Sequence, residues 1–136
     1  MAAGLAAPIL AERLSCRTAD LRARGVVVQS AGTSGGRGGA STHALEVMAK
    51  RGIDLSDHFS AALSEEMVQQ ADYIFAMTQV HRETILRLSP SAEPKVRLLL
   101  DGEDVRDPMG SEVEEYERCA QTIERGLRDR LQEVIV

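Results

Sequence analysis

Three places in this sequence hold residues that could do chemistry: Cys16, Cys119 and the run Asp107-Pro108-Met109-Gly110. A cysteine that attacks a phosphate needs an arginine six positions on, in a Cys-x5-Arg loop between a strand and a helix. The loop amides and the helix N-terminus then hold the anion and depress the thiol pKa, while the arginine clamps two oxygens. Cys16 with Arg22 and Cys119 with Arg125 both have this spacing. In a chain so rich in arginine the spacing alone is weak evidence, and the context argues against both. Cys119 falls inside an expected helix, whose amides are consumed by the helix itself. Cys16 follows a helix rather than a strand, and its loop has no glycine. Both read as structural or surface thiols. An aspartate fixed by a following proline can serve as a positioned general acid, but Asp-Pro-x-Gly is also common turn chemistry. From these four residues alone the turn is the simpler reading.

Two further features attract notice and carry less. The glycine-rich stretch 32–39 suggests a phosphate cradle, yet no Lys-Ser/Thr follows it and no Gly-x-Gly-x-x-Gly register opens a helix. A connector is the simpler reading. His81 stands alone and reads as a histidine on a helix surface.

The elements that must position these residues follow from periodicity and punctuation. Leu5, Ile9, Leu10 and Leu14 recur at helical spacing and predict a helix over residues 2–15, with Pro8 an awkward member. Val26-Val27-Val28 predicts a buried strand over 26–31. Thr42 can cap a helix ended by Gly52. Ser64 followed by Glu65 and Glu66 opens a short helix. Residues 73–77 predict a second strand, 79–88 a helix stopped before Pro90, and 96–100 a third strand. Ser111 and Glu114 form a capping box, followed by a stripe of Val113, Tyr116, Ala120, Ile123, Leu127 and Leu131 on a long final helix. Strands separated by helices imply crossover connections, hence a parallel sheet covered on both faces. Ligands in such sheets bind beyond the carboxyl ends of the strands, which is where Asp107 falls.

With 136 residues, the chain is expected to form a single domain over 1–136. Its net charge of −5 with both signs interspersed argues against nucleic acid as a partner. Two cysteines do not make a disulfide framework, and no Cys/His spacing resembles a zinc site. No window approaches a membrane span. The weakly apolar start is interrupted by Glu12 and Arg13 and does not read as a signal sequence. The expectation is a cytoplasmic protein with no membrane partner and an open oligomeric state.

Taken in order, four stretches resemble the low-molecular-weight protein-tyrosine phosphatase family. They are Ser30-Ala31-Gly32-Thr33, the run from Arg51 to His58, the run from Ala71 to His81, and Asp107-Pro108-Met109-Gly110 with its following helix. Together they span nearly the whole chain in the family's order. The resemblance implies a three-layer α/β/α doubly wound parallel sheet, with three strands here where the family has four. It also implies hydrolysis of a phosphorylated protein through a cysteinyl-phosphate, with no cofactor or metal. By resemblance, Asp107 matches the general acid, which overturns the turn-only reading. Met109 would line the substrate slot. Tyrosine-specialised members often carry aromatic residues there, so Met109-Gly110 looks closer to the bacterial branch that includes protein-arginine phosphatases.

The chain departs from the family at its start. Members begin with a strand and a loop reading roughly Cys-Thr-Gly-Asn-x-Cys-Arg-Ser-Pro-Met-Ala, and Met1-Ala2-Ala3-Gly4-Leu5 aligns directly after that loop. The expectation is therefore a chain truncated at its N-terminus and inactive as written. The simplest origin is a misassigned start codon; the alternatives are a non-catalytic remnant or regulatory module, or an enzyme rebuilt on Cys16 and Arg22. The absent strand would lie between 26–31 and 73–77. Its loss should remove on the order of 10 kcal/mol at roughly 2 kcal/mol per buried side chain. That approaches the whole stability of an ordinary domain, so an unstable or aggregating chain is expected.

Overall fold

The computed structural model describes residues 1–33, 40–57 and 61–134. Seven regular elements follow one another: α1 (Ala2–Arg13), α2 (Thr42–Ala49), α3 (Glu65–Gln70), β1 (Ile74–Ala76), α4 (Gln79–Leu88), β2 (Val96–Leu98) and α5 (Val113–Leu131). β1 and β2 pair in parallel, with Ile74 opposite Val96 and Ala76 opposite Leu98. The β1–α4–β2 crossover supplies the parallel geometry that alternating elements predict.

The pleat divides the core in two, because successive strand residues point to opposite faces. Ala76 and Val96, with Ile74 and Leu98 beside them, pack against Val68 of α3 and Ile85 of α4. Phe75 and Met77 join the other cluster, which holds α1, α2 and α5 together with Leu99 and Leu100. Helices therefore cover both faces, giving the expected three-layer α/β/α arrangement.

Local signals account for most boundaries. The Ser64 hydroxyl accepts from the Met67 amide at 3.2 Å and starts α3. Thr78 does the same for α4, accepting from the His81 amide at 3.1 Å. At α2 the cap is Ser41 rather than Thr42: its side chain accepts from the Ala44 amide at 3.3 Å, and Thr42 is the first helical residue. The capping box at Ser111 does not form. Ser111 donates its amide to the Pro108 carbonyl at 2.9 Å, closing the preceding turn, and α5 starts one residue later than expected, with Glu112 at its N-cap.

Residues 26–28 show the burial alternation of a strand without its ladder, and 29–31 are exposed. Val26 and Val28 pack against the larger core while Val27 is 56% exposed. Among the described residues the pairing near this segment is one parallel bridge between Gly32 and Ala62. β1 likewise has a ladder on one edge among those residues. Fully buried strands need neighbours on both edges, so the segment is half-buried where its apolar run alone predicts burial.

α5 lies close to the chain after β2. A Cβ at Gly126 would sit 3.0 Å from side-chain atoms of Leu99 and Leu100, closer than ordinary packing, so a larger residue there would require those leucines to shift. Arg51, just after α2, forms a two-pronged ion pair with Glu117 of α5 at 2.6 and 3.0 Å. The hydrogen bonds from Arg51 hold the Glu117 carboxyl below its ordinary pKa. A carboxyl depressed in the folded state stabilises above its unfolded pKa, and that contribution is lost as pH falls through the folded value. Arg51→Gln should therefore lower the stability measured by urea unfolding at pH 7 by less than about 1 kcal/mol for a pair that solvent still screens. The difference from wild type should shrink as pH falls below the ordinary glutamate range; an equal difference at all pH values would assign the effect to packing of the arginine stem.

Candidate active site

Asp107 lies past the carboxyl end of β2, on a loop fixed at several points. The Val105 amide donates to the Met77 carbonyl at 2.7 Å, tying the loop to the end of β1. One residue earlier, Asp104 accepts from the Gln79 amide at 2.8 Å, so the same loop caps α4. Asp107 accepts from the Met109 amide at 3.0 Å, the local bond that an aspartate turn makes. Gly110 completes the turn at φ 80°, a left-handed conformation that favours glycine. The Asp-Pro-Met-Gly run is thus a turn in conformation and a fixed carboxylate in consequence; the two readings of the sequence are compatible.

Asp107 and Met109 are both exposed, Met109 to 80%. A cavity of about 170 Å³ separates the loop from α5, with Asp107, Ser111 and Cys119 among its walls. The Cys119 Sγ lies 3.6 Å from the Arg106 carbonyl oxygen. Burial pushes the Cys119 thiol pKa up; the Met1 amino group pulls it down and the Asp107 carboxylate adds to the rise. Burial in turn holds the Met1 amino group below its ordinary value. Asp107 and Cys119 share this cavity, and Met1 packs against the core cluster that contains Cys119.

Neither cysteine occupies a phosphate-binding loop. Cys119 is a member of α5 and is buried. Cys16 gives its amide to the Ala11 carbonyl at 3.0 Å, and the amides of Asp20 and Leu21 bond to Arg17 and Thr18 carbonyls. Those donors are turned into the chain and cannot converge on an anion, and Arg22 is exposed in a 3₁₀ turn. His81 sits in the first turn of α4, partly exposed. The glycine-rich stretch at 34–39 and His58 lie outside the described residues. Sequence spacing had no means of finding the Asp104 cap, because the two partners are separated by 25 positions and one crossover. It also set Cys119 aside, since a helical position shows nothing of what the side chain meets.

A parallel sheet between two helical layers, with an aspartate turn beyond its strand ends, defines an α/β protein with a candidate site at the carboxyl edge. The profile described as low molecular weight phosphotyrosine protein phosphatase matches residues 3–135, and the chain belongs to that family. Among its relatives is the protein-arginine-phosphatase of Bacillus subtilis (strain 168), 32% identical over 125 residues that cover 88% of this chain and 83% of that protein. Another is the probable low molecular weight protein-tyrosine-phosphatase EpsP of Ralstonia nicotianae, 34% identical over 106 residues, covering 76% of this chain and 73% of EpsP. In structure, the chain resembles the YwlE arginine phosphatase carrying a phosphorylated active-site serine, with a TM-score of 0.82 at 32% identity, covering 98% of this chain and 85% of that one. It also resembles the low molecular weight protein tyrosine phosphatase of T. tengcongensis, with a TM-score of 0.83 at 28% identity, covering 98% and 89%. The relatives place the chain in the family's bacterial branch. No helix among the described residues is long and apolar enough to cross a membrane.

Proposed function

We propose that this domain contributes the acid side of a cytoplasmic protein-phosphate phosphatase, with Asp107 as the general acid. The observation that carries this reading is that Asp107 and Cys119 line one cavity, while Met1 at the start of α1 packs against the core cluster that includes Cys119. The first amides of a helix have no partners within it and favour an anion at that end. On this reading the phosphate sits between that helix end and the Asp107 carboxyl. In the first step a thiolate attacks phosphorus and the bond to the leaving oxygen breaks, or the bond to a guanidinium nitrogen for phosphoarginine. Asp107 gives its proton to that leaving atom. In the second step water attacks the thiophosphate, Asp107 takes the water's proton, and phosphate and thiolate are released. Met109 forms an aromatic-free wall beside the substrate.

On this reading the thiolate is neither Cys16 nor Cys119, and no turnover is expected of residues 1–136 alone. Reading the coding sequence immediately upstream and expressing the form that carries a strand and a Cys-x5-Arg loop tests both parts. The expected result is hydrolysis of phosphotyrosine or phosphoarginine peptides by the loop-bearing form and none by the 136-residue chain. Comparing the two peptides at equal concentration assigns the substrate. Hydrolysis by the 136-residue chain that is abolished in Cys16→Ser would overturn the reading in favour of a rebuilt site.

A further inference from the structure

We propose that Cys119 is a positioning residue for Asp107, donating its thiol proton to the Arg106 carbonyl and so holding the acid-bearing loop against α5. The proposal rests on Asp107 acting as the acid. Its basis is a contact between two distant elements: the Sγ of Cys119 lies 3.6 Å from the carbonyl directly before Asp107.

The loop's other ties leave a gap that this contact fills. Val105 and Asp104 fix its entry to β1 and α4, and the bonds from Met109 to Asp107 and from Ser111 to Pro108 are internal to the turn. Between entry and turn, the peptide joining Arg106 to Asp107 borders the cavity along α5. A carbonyl there left without a donor would be free to tilt into that space, and the aspartate would tilt with it. Cys119 is 8% exposed and projects from a 19-residue helix, so its thiol is a fixed point. A thiol must keep its proton to donate. Burial and the nearby Asp107 carboxylate favour the protonated form, against the pull of the Met1 amino group.

The competing account is that Cys119 only fills space, as buried cysteines commonly do. Serine separates the two: it keeps a donor but suits an apolar site worse than alanine does. The first experiment is NMR at neutral pH on the 136-residue chain and its Cys119→Ala and Cys119→Ser variants, following the Met109 amide proton, which bonds to Asp107, and the Asp107 carboxyl carbon. The expected result is an upfield shift of the Met109 amide and a displaced Asp107 carboxyl signal in Cys119→Ala, both restored in Cys119→Ser even where its melting temperature is lower. Unchanged Met109 and Asp107 signals in Cys119→Ala, or the same displacement in both variants, would overturn the proposal.

The loop-bearing form gives an independent decision if the shorter chain is too unstable for spectra. There Cys119→Ala should lower kcat for a phosphotyrosine peptide by about fivefold, the effect of one modest hydrogen bond, with KM unchanged. Cys119→Ser should recover that loss. Equal kcat in all three forms, or a loss in Cys119→Ser as large as in Cys119→Ala, would overturn it. Should Asp107→Asn prove fully active, the acid assignment fails, whereas the NMR comparison still reports whether Cys119 sets the loop.

Discussion

Asp107→Asn in the loop-bearing form should lower kcat for a phosphotyrosine peptide by about 10²–10⁴, the range that a general acid contributes. Asparagine is nearly the same shape and retains an oxygen able to accept from the Met109 amide, so the 3.0 Å bond and the turn should survive. What it lacks is an acidic proton for the leaving oxygen. The defect should therefore depend on the leaving group. It should be large for the phenol of tyrosine, whose own pKa is about 10, and much smaller for an activated aryl phosphate that departs as a stable anion. Because Asp107 also serves as base in the thiophosphate step, kcat can fall for every leaving group. The dependence is therefore read in kcat/KM, which reports the first step. A uniform loss of kcat/KM would mean that Asp107 positions substrate or supports the loop instead. An unchanged kcat would remove it from the mechanism. Unchanged KM alongside the fall in kcat would place the interaction in the transition state alone.

Leu99→Ala should lower the stability of the chain by about 2–5 kcal/mol, as large-to-small changes in well-packed cores do. Leu99 is 1% exposed, and its amide donates to the Ala76 carbonyl at 2.8 Å, continuing the register of the sheet. On its other side it meets α5 at Gly126. Neither contact can relax easily: the backbone is held by the sheet bond, and α5 is held by the cluster it shares with α1 and α2. The void should therefore persist. A domain of this size has about 5–15 kcal/mol in total, so the variant should unfold at much lower urea concentration or lose its cooperative transition. A loss under about 1 kcal/mol would show that α5 moves in to fill the space. The same denaturation series on the unmodified chain tests the sequence-based expectation of instability: a cooperative melt with ordinary solubility would refute it.

The sequence by itself determined the elements whose signals are local. Ser64 before two glutamates, the boundaries at 79 and 88, and the apolar stripe of the last helix each depend on residues within a turn or two. Tyr116, Ala120, Ile123, Leu127 and Leu131 are all buried as their spacing requires. The order of four motifs also sufficed for the family, because their joint arrangement is far more specific than any one of them. Tertiary structure decided whatever depends on partners distant in sequence. Val26-Val27-Val28 has strand character, but a ladder is made by two chains, and apolar residues cannot state which neighbour they will find. Ser111 looks like a cap, yet its amide is taken by the Pro108 carbonyl once the aspartate turn forms. Cys119 follows the helical pattern correctly, but only packing of α5 against the loop brings its sulfur to Arg106. Local propensity acts over a few residues; the contacts that fix the carboxyl of Asp107 arise where the ends of separate elements meet.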